Sequence, residues 1–298
     1  ELGFLLAVTR LGLHEQSLHP GERTIQPAPR AHPEQRRIAA RVLDHVEQKR
    51  QVVVQRSRDG LVADLDEEKA VAVAESIGDQ ARGVGLDVAD EQAVVDLIEG
   101  IEDDDGPIDL FFSNAGYGRP GGLDLDNATW QHMMDVHFTS HLTAARALIP
   151  GMVARGEGYL FSTASAAGLL TQMDSGPYAV SKAAAVAFAE WIAINYGERG
   201  VKVSVLCPQA VRTNIIGDDI SLWDARARSG QASQDGVLEP EDVAQMVVDT
   251  IRNENFLLLP HEQVATYMQR KAADPDRWIG GMQRFRSKLE AAGAYVVD

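Results

Sequence analysis

The chain has 298 residues, 45% of them apolar and 24% charged, which excludes a disordered tail, a collagen-like repeat and a small disulfide scaffold. It carries 28 Lys/Arg against 44 Asp/Glu, a formal net charge of −16, and such a surface repels phosphate backbones and anionic membranes. Neither nucleic acid nor membrane is therefore expected as a partner. Cys207 is the single cysteine, so no intrachain disulfide can form, and a reducing, cytoplasmic setting is expected. No apolar run reaches the roughly 18 residues that a membrane helix needs. The opening residues 1–13 have neither a basic leader nor a small-residue cleavage site and do not read as a signal peptide.

Composition changes near residue 60. Residues 1–60 hold ten Lys/Arg and seven Asp/Glu, whereas the remainder carries a balance of −19. The first part is rich in Arg, Gln, His and Pro and has no glycine between Glu22 and Asp59. It reads as an atypical segment, residues 1–59, with one helix at 34–49. From Leu61 onward the pattern is regular. Residues 61–63 give a short strand, followed by a helix that Asp66 caps and Gly78 stops. A strand at 81–86, a helix at 91–101 and a buried strand at 108–113 follow. One long helix is expected over 127–154, then a strand at 158–163. A second long helix starts at Pro177 and ends near Gly197, and the strand at 201–206 is stopped by Pro208. A helix at 239–252, a strand at 256–259 and two polar helices, at 261–273 and 276–292, finish the chain.

Strands alternating with helices of ten residues or more imply parallel βαβ units with helices on both faces of one sheet. In such sheets ligands sit beyond the carboxyl ends of the strands. Asp64 stands at one such end, where a carboxylate accepts from ribose hydroxyls and repels a 2′-phosphate, favouring NAD over NADP; it also suits a plain helix cap. Asp87-Val88 follows the next strand and, alone, is a turn. Asn114-Ala115-Gly116 follows the strand after that, where small residues let a flat ligand approach and an Asn side chain pins neighbouring strands. Ser165 follows the strand at 158–163. Tyr178 and Lys182, four apart, share one helical face. A lysine charge near a phenol favours phenolate, and a serine hydroxyl can hold an oxygen on which charge develops. A lone Tyr-x-x-x-Lys is a common surface pair; its conjunction with Ser165 and Asn114-Ala115-Gly116 is not.

Taken with Pro208-Gln209-Ala210-Val211-Arg212-Thr213, these residues resemble the short-chain dehydrogenase/reductase family over residues 61–298. The resemblance implies a single-domain Rossmann-type doubly wound parallel sheet over residues 60–298 and nicotinamide-dependent hydride transfer between an alcohol and a carbonyl. It assigns Tyr178 as acid/base, Lys182 as its pKa modifier and ribose contact, and Ser165 as partner of the substrate oxygen. It sets Pro208, Val211 and Thr213 along the nicotinamide carboxamide, Asn114, Ala115 and Gly116 beside the adenosine ribose, and Asp87 and Val88 beside the adenine. It implies NAD as cofactor, a small alcohol or carbonyl as substrate, and a homodimer or homotetramer built on the small-residue run at 183–189.

Three departures stand against that pattern. The family's glycine-rich pyrophosphate loop belongs about 25 residues before Asp64, and residues 38–46 contain no glycine. Residues 4–9 can supply the first strand and 34–49 the crossover helix, without the phosphate cradle. Two explanations remain open: a reading-frame or gene-joining artefact over an ordinary enzyme, or a member that has lost tight cofactor binding and works as a binding or regulatory module. His137 occupies the place of the usual Asn, either as a partial substitute or as a satisfied buried histidine. Gln209 stands where Gly is common, its side chain expected to face the gap between cofactor and substrate. Residues 169–173, 209–211 and 214–236 are expected to shape the substrate pocket. No spacing of His or Cys suggests a metal site.

Overall fold

A computed structural model describes residues 4–8, 60–213, 215 and 235–291. In chain order these give β1 (Phe4–Val8), β2 (Gly60–Asp64), α1 (Glu67–Ile77), β3 (Ala81–Gly85), α2 (Glu91–Asp105) and β4 (Leu110–Ser113). There follow α3 (Asn127–Met134), a π-helical turn (Asp135–Thr139), α4 (Ser140–Arg155), β5 (Gly158–Thr163), α5 (Ala166–Leu170) and α6 (Gly176–Tyr196). The chain continues through β6 (Val201–Leu206), α7 (Pro240–Asn253), β7 (Leu257–Leu258), α8 (Gln263–Ala273) and α9 (Pro275–Ala291). The strands form a seven-stranded sheet in the order β3-β2-β1-β4-β5-β6-β7.

Alternate strand residues feed two cores, as the period of two requires. Leu61, Phe111, Leu160 and Val203 face α2, α4 and α6, meeting Ile98, Leu148 and Ala185. Val62, Phe112, Phe161 and Leu206 face α1 and α7, meeting Val73 and Val247. The sheet is thus covered on both sides, the arrangement that long apolar parallel strands demand.

Helix starts follow the capping residues. Asp66 accepts from the Lys69 N–H, Asp90 from those of Gln92 and Ala93, Asp126 from Thr129, Ser165 from Ala167 and Ser175 from Tyr178. Each oxygen satisfies an amide that the helix itself leaves without a partner. Two elements differ from expectation. The helix expected over 127–154 is interrupted by the wide π turn centred on His137, a local insertion that is common beside functional sites. The expected first strand is present as β1 and fills the centre of the sheet, yet it pairs antiparallel with both β2 and β4 inside an otherwise parallel array. Either direction satisfies the backbone groups of its neighbours, so the sheet has no central gap. Direction does change where the chain goes. Phe4 lies opposite Asp64 at the carboxyl edge, and Val8 lies opposite Gly60 and Leu110 at the amino edge. The helix expected at 34–49 and the window at 38–46 lie outside the described residues.

Candidate active site

The site residues gather at the carboxyl ends of β2, β4, β5 and β6. Ser165 is buried at the start of α5, where its Oγ accepts from the Ala167 N–H at 3.1 Å and approaches the Pro208 carbonyl at 3.4 Å. The Tyr178 side chain is half-buried in the first turn of α6 and interacts with that of Ser165. Lys182 is only 2% exposed. Its Nζ donates to the Thr163 carbonyl at 2.9 Å and lies 5.8 Å from the centre of the Tyr178 ring. The three side chains of the Ser-Tyr-Lys pattern are therefore together.

Burial pushes the Tyr178 phenol above its ordinary 10, against the pull of the Ser165 side chain. The ammonium is oriented on Thr163 rather than on the phenol oxygen, and burial brings the lysine itself down to about 8. Cys207 closes the floor: it is buried, and burial raises its thiol to about 12 against the Ser165 backbone and Lys182.

His137 is fully buried between the Asn114-Ala115-Gly116 turn and α6. Nε2 accepts from the Tyr117 N–H at 3.1 Å, and Nδ1 meets Ser181 Oγ at 2.9 Å. Its ring stands edge-on to that of Tyr178 with centroids 5.4 Å apart. Gly116 packs closely here: a Cβ on it would lie 3.3 Å from both His137 Nε2 and Lys182 Nζ, so either side chain would have to give by a few tenths of an ångström. Asn114 Oδ1 accepts from Thr163 Oγ1 at 2.6 Å, tying the ends of β4 and β5.

At the other end of the cleft, Asp64 is 1% exposed; Oδ1 accepts from the Asp66 N–H at 2.7 Å and buried Oδ2 has no partner among the described residues. Burial raises this carboxyl to about 6, against the Asp66 N–H and Lys69. Asp87 is exposed and closes its own turn through the Ala89 N–H, while Val88 is core. Ala115 is core as well. Pro208, Val211 and Thr213 line the half-buried stretch after β6, bridged to Leu238 at Val211. Gln209 Nε2 donates to Asp235 Oδ2 at 2.8 Å, a charged acceptor that makes the stronger bond. Residues 214 and 216–234 of the expected pocket wall lie outside the described residues.

A nicotinamide dinucleotide can be tested against this set. A buried carboxylate oxygen without a partner at Asp64 and the donors of Tyr178 and Lys182 fit its two ribose ends. Among the described residues no turn supplies the pyrophosphate cradle between them, and the chain leaves β1 at the opposite edge of the sheet. No group of three His, Cys, Asp or Glu side chains among the described residues is placed to hold a metal, and no helix among them is long and apolar enough to cross a membrane.

Sequence reasoning missed Thr163, Ser181, Tyr117 and His261. The first two act on the site through a carbonyl or a hydroxyl, and the last two through single backbone contacts, none of which leaves a spacing pattern.

Comparison with known proteins finds dehydrogenases among the relatives of this chain. The chain is 34% identical over 169 residues to the inactive 2-(S)-hydroxypropyl-CoM dehydrogenase 2 of Xanthobacter autotrophicus, covering 56% of this chain and 70% of that one. It is 31% identical over 205 residues to the 1-deoxy-11-beta-hydroxypentalenate dehydrogenase of Streptomyces exfoliatus, covering 66% and 72%. The crystal structure of a short-chain dehydrogenase/reductase from Burkholderia phymatum in complex with NAD superposes with a TM-score of 0.64 at 26% identity, covering 72% of this chain and 84% of that one. Residues 50–221 match the sequence profile of the short-chain dehydrogenases, and the chain belongs to that family.

Proposed function

We propose that the protein is an oxidoreductase that interconverts a small alcohol and a carbonyl with NAD, with Tyr178 as acid/base, Ser165 as holder of the reacting oxygen and Lys182 as the charge behind the phenol. The observation that carries this reading is the meeting of the Ser165 and Tyr178 side chains beside a lysine that is 2% exposed, its Nζ 5.8 Å from the centre of the Tyr178 ring. Bound nicotinamide supplies or receives the hydride. The protein's own part is proton transfer and positioning. A phenol raised above 10 is protonated at neutral pH and can donate to a carbonyl oxygen that Ser165 holds. In the reverse direction the same oxygen takes the alcohol proton, and the Lys182 charge favours the phenolate.

Asp64 supports NAD over NADP, since a carboxylate repels a 2′-phosphate. Asn114, Ala115, Gly116, Asp87, Val88, Pro208, Val211 and Thr213 are assigned to the cofactor as the family pattern has them. His137 supports the active lysine and tyrosine from behind. Residues 60–298 form the oxidoreductase domain and 1–59 an extension to it. The single buried Cys207 is consistent with the cytoplasm, and exposed Val180, Trp191 and Ile194 on α6 with a homodimer or homotetramer.

Tyr178→Phe tests the assignment: it should abolish NAD-linked turnover of secondary alcohols with little change in thermal stability, and retained activity would refute it. A second reading is a binding or regulatory module of the same fold. The reversed β1 favours it, as does the relative named as inactive. Calorimetric titration separates the two: micromolar NAD affinity supports the enzyme, and millimolar or absent binding supports the module.

A further inference from the structure

His261 follows β7, is 3% exposed, and stands outside the Ser-Tyr-Lys pattern. Its Nδ1 accepts from the backbone N–H of Gln209 at 3.2 Å. That N–H belongs to the peptide whose oxygen is the Pro208 carbonyl. The same carbonyl accepts from the Ala166 N–H at 2.9 Å and approaches Ser165 Oγ at 3.4 Å. A peptide group is planar and rigid, so a hold on one end sets the other. The side chain of Gln209 is fastened separately, through Nε2 to Asp235 Oδ2, while Asp235 Oδ1 accepts from the Tyr267 hydroxyl at 2.9 Å. The residue is therefore held at backbone and side chain alike. An imidazole accepting at Nδ1 must be neutral with its proton on Nε2. Burial keeps the ring below the usual 6.5, against the Gly236 and Ala210 backbone and the Asp235 carboxylate, which preserves that acceptor.

We infer that His261 is a positioning residue for the reaction proposed above: through the Pro208–Gln209 peptide it sets the orientation of the Ser165 hydroxyl. The inference rests on the proposed role of Ser165. It makes β7 and the start of α8, which touch no reacting atom, part of the machinery that aims the oxygen-holding group.

An asparagine amide oxygen falls where Nδ1 lies, whereas a glutamine amide reaches only the Nε2 position. The test compares His261→Asn, His261→Gln and His261→Leu with the unaltered chain, with NAD and secondary alcohols from 2-propanol to 1-phenylethanol as probes. Exchange of the Gln209 amide proton is read alongside by NMR. The expected result is a kcat lowered about 10- to 100-fold in the Leu and Gln variants with KM for NAD unchanged, and recovery to within about threefold in the Asn variant. Gln209 exchange should quicken at least about tenfold in Leu and Gln and stay slow in Asn. Unchanged Gln209 exchange in His261→Leu, or faster exchange with undiminished kcat, overturns the inference. The Asn variant keeps the comparison open if the Leu variant does not fold, because an Asn variant no better than Gln also overturns it. No turnover by the unaltered chain with any probe sinks the oxidoreductase reading itself.

Discussion

The backbone N–H of Tyr117 donates to Nε2 of His137 over 3.1 Å, and this one bond decides the state of the ring. A nitrogen that accepts carries no proton, so the neutral imidazole bears it on Nδ1 and donates to Ser181 Oγ at 2.9 Å. Ser181 Oγ in turn donates to the Tyr178 carbonyl at 3.1 Å. His137 thereby braces the turn after β4 against the first turns of α6. His137→Leu leaves the Tyr117 N–H buried without an acceptor and should cost about 2–3 kcal/mol in urea unfolding. His137→Gln, whose amide reaches the Nε2 position, keeps an acceptor for that N–H and should cost about 1 kcal/mol less than Leu. Equal losses in the two variants would show that the ring only fills space.

Buried histidines should make the fold acid-sensitive, His137 and His141 most strongly and His261 in the same direction. Burial, reinforced by Lys182 and neighbouring histidines, holds His137 well below its usual 6.5. Burial and Lys182 bring His141 down to about 3. Below 6.5 the unfolded chain binds protons that the folded chain refuses, so stability falls as pH drops, by about 1.4 kcal/mol per pH unit for each such histidine. Asp64 works in the opposite sense between about 6 and 3.8, where the folded state holds the extra proton, and offsets one of the two. Both ring nitrogens of His141 lack partners among the described residues, and its ring adjoins a small cavity shared with Ser113 and Ser162. His141→Leu should therefore raise stability near neutrality and flatten its fall between about pH 6 and 4 by roughly 1.4 kcal/mol per unit. An unaltered slope would place the acid sensitivity elsewhere.

The strand–helix alternation and most caps were readable because burial on both faces, capping oxygens and Pro or Gly boundaries each leave a local mark, as at Asp66, Ser175 and Pro177. The grouping of Ser165, Tyr178 and Lys182 was readable because strand ends and helix starts meet at one edge of such a sheet. What was not readable depends on contacts rather than periodicity. The five-residue α5 is too short to show a helical repeat. The π turn at His137 adds no residue type that marks it. The direction of β1 depends on how the chain reaches it, and five apolar residues read alike either way. The turn of Gln209 toward Asp235 joins positions 26 residues apart, beyond any local window.

Asp64 combines a buried, raised carboxyl with an oxygen that no described residue engages. Its sign is the reverse of the histidines: the folded state favours the protonated form, so the group's contribution is present below 3.8 and is lost as pH rises through about 6. Asp64→Asn retains an oxygen for the Asp66 N–H and removes the buried charge. At about pH 8 it should stabilise the ligand-free chain by up to about 3 kcal/mol. It should also weaken NAD about tenfold or more, the loss of a hydrogen bond to a charged acceptor. Urea unfolding and calorimetry read the two effects on the same sample. A variant that binds NAD unchanged removes Asp64 from the cofactor assignment.

Gly168 is where α5 and α6 touch. A Cβ there would stand 2.6 Å from the Lys182 carbonyl oxygen, 2.7 Å from its carbon and 2.9 Å from the Ala183 nitrogen. All three are backbone atoms of α6, so no rotamer change relieves the contact and α5 must move away from α6. Ser165 caps α5 and Lys182 belongs to α6, so any such displacement widens the distance across the site itself. Gly168→Ala should cost about 1–3 kcal/mol of stability. It should also lower turnover more than Gly280→Ala, a helical glycine where the nearest neighbour is the mobile end of Arg284 at 3.4 Å. Gly280→Ala should instead gain a few tenths to about 1 kcal/mol from helix propensity. The pair separates strain at the active-site helices from the general effect of a methyl group: if both variants shift stability in the same direction and by the same amount, the close approach of α5 and α6 is not what fixes Ser165 over Lys182.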